Sequence, residues 1–387
     1  MNSTISDGSC RNDENVLYEH EVVRLLHSWR DELQRKLVEH CGDERGNALF
    51  RRYAAVLPLA YQDQVPAASA ASDLEHLDAA EARGQIGIWF DAPYHDDGSH
   101  QHIKISLRQA PRPLSAVLPI FDNLGVTVLS GQRFRLKESE LSLADFAVQL
   151  PCAKALDDDR TRTAFVDLLE KLLCDAAEND GFNRLTLLAG LDRMQIGVLR
   201  AYARYLRQAG LPFTPAQVER CLLSYPQIAR LLLELFTARL SPDGEEAQGE
   251  VLADELKAAL AQVGKLEDDQ ILSAFRTVIL ATLRTNAWQT GKDGQPKDYP
   301  SFKLSSREIP VLPKPLPLYE VFVYSARAEG LHLRGSRVSR GGLRWSDRFD
   351  DYRTEVLGLV KAQTIKNAVI VPLGAKGCFV GKRLPPV

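Results

Sequence analysis

Apolar residues at helical spacing dominate the first 84 positions of the chain. From Glu19 to His40 they recur every three or four residues, which is typical of a helix that buries one face. We expect a second helix over about Asp43 to Val56 and a third that starts near Ala67. Residues 1–15 are polar and are predicted to be a disordered lead-in, so a helical segment is expected over residues 16–84.

The pattern changes from helical spacing to alternation at about Gln85. Segments 86–90 and 102–107 alternate apolar and polar residues around a polar turn at 95–99, which predicts a pair of strands. A helix over 114–124 and a strand over 126–130 are expected to follow. This order predicts a small ACT-like α+β module over residues 85–150. A fold of this kind does not by itself establish that a ligand binds.

Residues 151–289 carry repeated apolar stripes and are predicted to form a helical bundle. Gly210 and Pro212 supply a stop signal for one helix, and Pro226 is expected to open or kink the next. We expect Asp268 and Asp269 to cap a later helix. The aspartates at 157–159 are predicted to cap a helix as well.

A row of arginines accompanies one of these apolar stripes. Its members are Arg193, Arg200, Arg204 and Arg207. We favour a solvated helix face as their role, because long basic side chains commonly border an apolar stripe. A subunit contact or a site for an anionic effector are the alternatives.

Prolines and glycines cluster in residues 290–317, which are therefore predicted to be a linker. A strand over 318–324, a glycine-bearing loop, a helix from about Asp351 to Lys366 and a buried strand over 368–371 should follow. The expected fold class is mixed α+β and mostly helical. It comprises the helical N-terminal segment, the ACT-like module, the helical bundle and the beginning of an α/β domain over residues 318–387.

Composition and charge narrow the classes of partner. The 387 residues carry a formal net charge of −3, which gives no electrostatic reason to expect nucleic acid or an anionic membrane. No apolar run approaches the roughly 20 residues that span a bilayer, and the start of the chain lacks signal-peptide order. The six cysteines form no CxxC pair, so reduced thiols and a cytoplasmic location are expected.

Candidate chemistry lies near the C-terminus, where three cations stand beside glycines. Arg340 precedes a Gly-Gly pair, Lys366 lies near a predicted helix end, and Lys376 is predicted to lie in a Gly-Ala-Lys-Gly turn. Glycine lets a ligand approach the backbone closely, and a Gly-Gly pair can offer amides to an anion. Clustered cations suit a small dicarboxylate. The alternative is that these are ordinary surface lysines beside turns, as in most isolated strings of this length.

The order of three short motifs resembles the amino-acid dehydrogenases, glutamate dehydrogenases especially. A GGLR element comes first, a helix with Q-x-x-K follows, and P-x-G-A-K-G comes within ten residues. The wider segments 338–348 and 366–372 are similar to the large-subunit, NAD-specific bacterial branch. The close resemblance covers residues 318–387, and a looser one reaches back to Tyr53.

The resemblance implies a role for several of these residues. Lys376 would be the catalytic lysine, which activates water and handles protons as the imine and carbinolamine interconvert. Gln363 and Lys366 would bind the substrate α-carboxylate.

A further group is implied to bind the side-chain carboxylate of the substrate. Arg340, with the amides of Gly341 and Gly342, falls where the family places a lysine. An arginine is not equivalent to a lysine there. Cys378 stands where the motif usually repeats glycine, so we expect its Cβ to crowd the loop or to require a positive φ, which costs about 1 kcal/mol.

The implied activity is the NAD-dependent oxidative deamination of L-glutamate to 2-oxoglutarate and ammonia. The parent enzyme is expected to bind an amino-acid effector and to form a homo-oligomer. It is not expected to bind nucleic acid or a membrane. No GxGxxG motif opens a βαβ unit, so we expect the NAD-binding domain to lie beyond Val387 and the isolated chain to be inactive. The alternative function is a regulatory or scaffolding fragment without catalysis.

A metal site is a weaker hypothesis. Three histidines and two aspartates lie close together in the sequence: His95, Asp96, Asp97, His100 and His102. Their spacing matches no standard metal-ligand pattern, and a polar hairpin turn explains the composition. We therefore expect no metal.

Overall fold

The computed structural model describes residues 29–84, 86–91, 100–107, 112–137, 140–152, 155–339, 341–366 and 374–384. These residues fall into two compact units. Unit 1 lies within Met1–Asp122 and Val126–Ala153, and unit 2 within Asn123–Gly125 and Lys154–Val387. Among the described helices, none combines the length and the apolar character needed to cross a membrane. The predicted lead-in, the turn at 95–99 and the strand at 368–371 lie outside the described residues.

Unit 1 begins with helices that pack around a common apolar core. They are α1 (29–41), α2 (Asp43–Tyr53), α3 (Leu59–Gln62) and α4 (Ala67–Arg83). The predicted starts of α2 and α4 are confirmed. Gly84 ends α4 with φ 64°, a left-handed conformation that suits glycine.

The same unit contains a four-stranded antiparallel sheet and one helix. These elements are β1 (Gly87–Asp91), β2 (Gln101–Leu107), α5 (Leu114–Asn123), β3 (Thr127–Arg135) and β4 (Ser142–Gln149). The strand order is β1-β2-β4-β3. Strands β1, β2 and β3 and helix α5 were predicted, and β4 was not. The sheet and helix agree with the expected ACT-like α+β module.

One face of this sheet holds buried polar groups. The ammonium of Lys104 donates to Asp73 of α4 at 2.7 Å and to Asp91 at 3.0 Å. On the same strand, the ring of His102 lies 2.7 Å from Asp145 of β4. His102 is therefore part of a side-chain pair inside the sheet. The other residues of the metal hypothesis, apart from His100, lie outside the described part of the chain.

Unit 2 begins with a run of helices. They are α6 (Asp159–Leu173), α7 (Leu185–Ala189), α8 (Arg193–Ala209), α9 (Pro215–Ser224), α10 (Pro226–Leu240), α11 (Glu246–Leu260) and α12 (Leu266–Leu280).

Most of the predicted helix boundaries agree with the structure. Asp158 caps α6 by accepting from the amide of Thr161, and Gly210 ends α8 with φ 95°. Pro226 is the first residue of α10. The predicted cap at Asp268 and Asp269 is wrong, because α12 starts at Leu266 and both aspartates lie inside its first turn, where they complement the helix dipole.

The arginine row of α8 is not the solvated face that we favoured. Arg200 is only 8% exposed, and its guanidinium donates two hydrogen bonds of 2.7 Å to Asp180. Arg204 donates to the fully buried Glu329 at 2.8 Å. These arginines face carboxylates of neighbouring elements, which hydrophobic patterning alone does not reveal.

A six-stranded sheet follows the helices. Its strands are β5 (Thr282–Thr285), β6 (Ser301–Ser305), β7 (Tyr319–Tyr324), β8 (Ala328–Arg334), β9 (Leu343–Trp345) and β10 (Ala375–Gly381), with α13 (Tyr352–Lys366) between the last two. The spatial order is β5-β6-β7-β8-β10-β9. Strands β9 and β10 are parallel, and the other neighbouring pairs are antiparallel.

This sheet corrects the predicted linker. Residues 290–317 include β6, which pairs with β5 on one side and β7 on the other. The prolines of that stretch fall outside β6, in the connections on either side of it, so they do not interrupt its ladder of hydrogen bonds. The sheet therefore begins before residue 318.

Candidate active site

Lys376 is the second residue of β10, not part of a turn as predicted. It pairs with Leu333 on β8, and the chain around it is extended. Its side chain is half-buried. Side chains alternate along a strand, so Lys376 shares a face with Cys378 and Val380, both buried. Arg344, opposite Cys378, reaches Glu355 of α13 from that face, so Lys376 lies on the side of the sheet that α13 covers.

The glycines around Lys376 are required by close contacts. A Cβ at Gly341 would lie 2.6 Å from the carbonyl oxygen of Ala375, and one at Gly377 would lie 2.5 Å from Leu343. The amide of Gly377 donates to the carbonyl of Gly342 at 2.9 Å. The structure thus brings the predicted Gly341-Gly342 element against the segment that carries Lys376.

The ammonium of Lys376 lies beside this glycine element. A Cβ built on Gly342 would be 3.8 Å from the Lys376 Nζ, an ordinary van der Waals distance. A larger side chain at position 342 would reach the ammonium group. Glycine at this position therefore leaves room next to the amine of Lys376.

Gln363 approaches the same segment from α13. A Cβ at Gly374 would lie 2.6 Å from the Gln363 Oε1, so the glutamine amide packs directly over the residue two before Lys376. The carbonyl of Gly374 also accepts from the amide of Gly335 at 3.0 Å. Lys366 is the last residue of α13, as predicted.

Glu355 of α13 holds strand β9 in place. It pairs with Arg344 at 3.1 Å and accepts from the hydroxyl of Ser346 at 2.7 Å. The same carboxylate thus contacts the middle residue of β9 and the residue that directly follows the strand. The sequence pattern does not predict this role. The only available signal was an acidic residue in the first turn of the helix.

Cys378 does not strain the site as we expected. It pairs with Leu331 on one side and Arg344 on the other, and it is 1% exposed. Its φ is not positive, since Asp175 is the one non-glycine residue in the described chain with that conformation. Burial raises the pKa of the Cys378 thiol, so the side chain is a neutral core group.

Two buried glutamates support the sheet beneath the site. Glu320 accepts from the guanidinium of Arg353 at 2.6 Å, and both side chains are almost fully buried. Glu329 accepts from Arg204 at 2.8 Å and pairs with Lys382 at 2.9 Å. Lys382 directly follows β10, so the strand that carries Lys376 is anchored to α8 through Glu329.

The predicted site residues are therefore partly assembled in the structure. Lys376, Gly341, Gly342 and Gln363 lie around the start of β10. Lys366 is on the same helix as Gln363, so its contact with a substrate carboxylate stays a prediction. Arg340 lies outside the described residues, so its contact with a substrate carboxylate stays a prediction.

Four family models match parts of the chain. Residues 255–387 match "Bacterial NAD-glutamate dehydrogenase, catalytic domain", and residues 177–242 match "Glutamate dehydrogenase, helical motif 3". Residues 36–80 match "Glutamate dehydrogenase, helical motif 2", and residues 85–161 match "Glutamate dehydrogenase, ACT3 domain".

Similar curated proteins carry the same description. The "NAD-specific glutamate dehydrogenase" of Halomonas elongata is 40% identical over 371 residues, which is 95% of this chain and 23% of that protein. The protein of that name from Pseudomonas aeruginosa is 41% identical over 376 residues, with the same two coverages. A Mycobacterium tuberculosis relative is 38% identical over 354 residues, 88% of this chain and 22% of its own length.

The chain belongs to the bacterial NAD-specific glutamate dehydrogenases. It spans about 23% of the length of the first relatives, and the catalytic-domain match includes every residue of the Lys376 site. In this chain, the catalytic-domain match starts at residue 255, well before the predicted boundary at 318. Accordingly, the sheet that carries Lys376 starts with β5 at Thr282.

Proposed function

We propose that this chain supplies the lysine side of the glutamate site in an enzyme that oxidatively deaminates L-glutamate to 2-oxoglutarate and ammonia. The observation that carries the proposal is the position of Lys376. Its ammonium stands beside Gly342, and Gln363 packs on the adjoining Gly374. A cation, an amide and an open glycine surface within one segment suit an amino acid whose carboxylates need donors.

Each side chain has a role in this proposal. Lys376 holds and moves a proton at the substrate amine and at the attacking water, since an ammonium group can act as a general acid and its neutral amine as a base. Gln363 and Lys366 bind the α-carboxylate. Arg340, with the amides of Gly341 and Gly342, binds the side-chain carboxylate.

The described residues do not fit NAD itself. A dinucleotide site needs a glycine-rich turn between a parallel strand and the helix that follows it. The described parallel pair, β9 and β10, is connected through α13, and the segment before α13 holds Asp347, Asp350 and Asp351 but no glycine. Three carboxylates there would repel a pyrophosphate. We assign no residue described here to the cofactor. The cytoplasmic location and the homo-oligomer stay predictions.

Glutamate binding to the purified chain tests the role of Lys376. We expect titration calorimetry with L-glutamate and with 2-oxoglutarate to give binding that Lys376→Met weakens about tenfold or more, as the loss of a charge-assisted hydrogen bond implies. Lys361→Met is the matched control, because Lys361 is an exposed lysine of α13. It should leave the affinity unchanged.

Two results would contradict the proposal. One is equal binding of glutamate by the wild-type chain and by Lys376→Met, with both proteins shown to be folded by circular dichroism. The other is an equal loss of affinity in Lys361→Met, which would point to general charge and not to this site.

A further inference from the structure

A cavity of about 540 Å³ lies in unit 2 and is not lined by the residues of the Lys376 site. Helices α8 and α9 contribute to its wall, and so do Lys382 and Arg383, which directly follow β10. Its lining includes neither Lys376 nor Gln363. The volume is sufficient for a small organic molecule and too small for a macromolecule.

Guanidinium groups form one side of this cavity. Arg200, Arg204 and Arg207 line it from α8, at spacings of four and three residues that place them on one helix face. Arg207 is paired with Asp350, whose side chain is 74% exposed. Since exposed ion pairs contribute little to stability, a ligand carboxylate can replace Asp350 at Arg207 at low cost.

Carboxylate side chains also line the cavity. Glu178, Asp180 and Glu219 line the cavity, and Asp180 is already bound by Arg200. Within the described part of the chain, no hydrogen-bond donor reaches the buried Oε2 of Glu178, and the Arg200 Nε lies 3.8 Å away. Burial and the charge of Asp180 raise the pKa of Glu219, whose Oε2 accepts from the amide of Gly181 at 3.2 Å.

Apolar and aromatic side chains complete the lining. Leu211, Phe213 and Val218 line the cavity from α9 and the loop before it, and Phe349 lines it from the loop before α13. Such a surface favours a ligand with an apolar body over one that is polar throughout.

The presence of both arginines and carboxylates in the lining restricts the charges that the ligand can carry. A simple dianion would meet Glu178 and Glu219, and a simple cation would meet the arginines, so each would face unfavourable like charge. We propose that this cavity binds a free α-amino acid with an apolar or aromatic side chain. Glu178 and Glu219 accept from its ammonium group, and Arg204 and Arg207 donate to its carboxylate.

The site is separate from the glutamate site but connected to it through the chain. Lys382 lines the cavity and pairs with both Glu178 and Glu329, and it lies six residues after Lys376. An amino acid whose ammonium group attracts Glu178 therefore changes the pairing of Lys382, which holds the end of β10 to Glu329.

Binding of L-phenylalanine and L-methionine to the purified chain tests the proposal. We expect titration calorimetry to give saturable binding of at least one of them. L-phenylalaninamide, which lacks the carboxylate, and N-acetyl-L-phenylalanine, which lacks the ammonium group, should each bind about tenfold more weakly or worse. Glu219→Gln and Arg207→Gln should each reduce the affinity of the amino acid about tenfold or more.

Two controls isolate this cavity. Arg220→Gln changes the exposed neighbour of Glu219 on α9, which does not line the cavity, and should bind as the wild type does. Lys376→Met should also retain binding, which separates this result from any failure at the glutamate site. The proposal is overturned if neither amino acid binds, if the amide binds as well as phenylalanine, or if Arg207→Gln retains full affinity. Arg207 is half-exposed, so its variant remains informative even if Glu219→Gln fails to fold.

Discussion

His332 is an ionisable residue on the open side of the six-stranded sheet, opposite the face that carries Lys376. It is half-buried on β8, and it pairs with Gly377 of β10 and Val321 of β7. Burial, together with the positive charge of Arg334, lowers the pKa of its imidazole below the usual 6.5. The folded chain therefore favours the neutral ring.

This lowered pKa predicts a pH dependence of stability. Between its folded-state pKa and about 6.5, the unfolded chain binds a proton at His332 that the folded chain does not, so the free energy of unfolding falls as the pH falls through this window. His332→Gln lacks this contribution. We expect the wild type to lose more urea stability than His332→Gln between about pH 8 and about pH 5. An equal loss in both proteins would contradict the assignment.

At the scale of single residues, the sequence predicts candidate site residues but not the side chains that surround them. The motif around Lys376 predicts a candidate site in one segment, because the lysine and its glycines are adjacent in the chain. Two sets of contacts depend on how α13 crosses the sheet. Gln363 contacts Gly374, and Glu355 binds Arg344 and Ser346. Spacing along the sequence does not encode that crossing.

The pairing of β9 with β10 is the element that positions the glycines beside Lys376. Gly341 is the critical position, because a Cβ there would lie 2.6 Å from a backbone oxygen, which cannot rotate away. We expect Gly341→Ala to lower the free energy of unfolding by about 1–3 kcal/mol, as overpacking does in a close contact. It should also weaken glutamate binding, since the strand next to Lys376 must shift.

A glycine of the neighbouring helix gives the matched control. Gly358 lies within α13, and a Cβ built there meets nothing within 4 Å. Gly358→Ala should be neutral or stabilising by up to about 1 kcal/mol, because alanine has the higher helix propensity. Urea unfolding of the two variants measures the difference in their free energies of unfolding. If both variants were equally stable, the close contact at Gly341 would be disproved.

Helices were easier to predict than strands. The starts of α2 and α4 and the C-terminal end of α8 follow from periodicity and from glycine and proline signals close in sequence. Strand β6 was taken for a linker and β10 for a turn, because prolines and glycines surround them. In both cases the strand is stabilised by partners distant in sequence, and local propensity is overridden by that pairing.

At the scale of the whole second unit, buried ion pairs connect the helices to the sheet. Glu320 of β7 is fully buried, and it receives hydrogen bonds from Arg353 of α13 and from the hydroxyl of Tyr205 on α8. One carboxylate thus connects β7 with α8 and α13. None of these partners could be paired from the sequence, since Glu320 lies 115 residues from Tyr205.

The Glu320–Arg353 pair gives the sharpest test of this arrangement. Removing one partner leaves an uncompensated buried charge, so Arg353→Met or Glu320→Leu alone should lower the free energy of unfolding by about 3–5 kcal/mol. The double variant leaves no buried charge and should recover much of that loss. Arg348→Met, which breaks the exposed pair with Asp351, should leave the free energy of unfolding essentially unchanged.

A double-mutant cycle by urea unfolding separates the pair from its surroundings. A large coupling energy between the two positions is expected, because each single variant isolates the charge of the other residue in an apolar layer. If the two single losses simply added in the double variant, the residues would not be interacting. The anchoring of α13 through Glu320, on which the position of Gln363 relative to Lys376 depends, would then have to be abandoned.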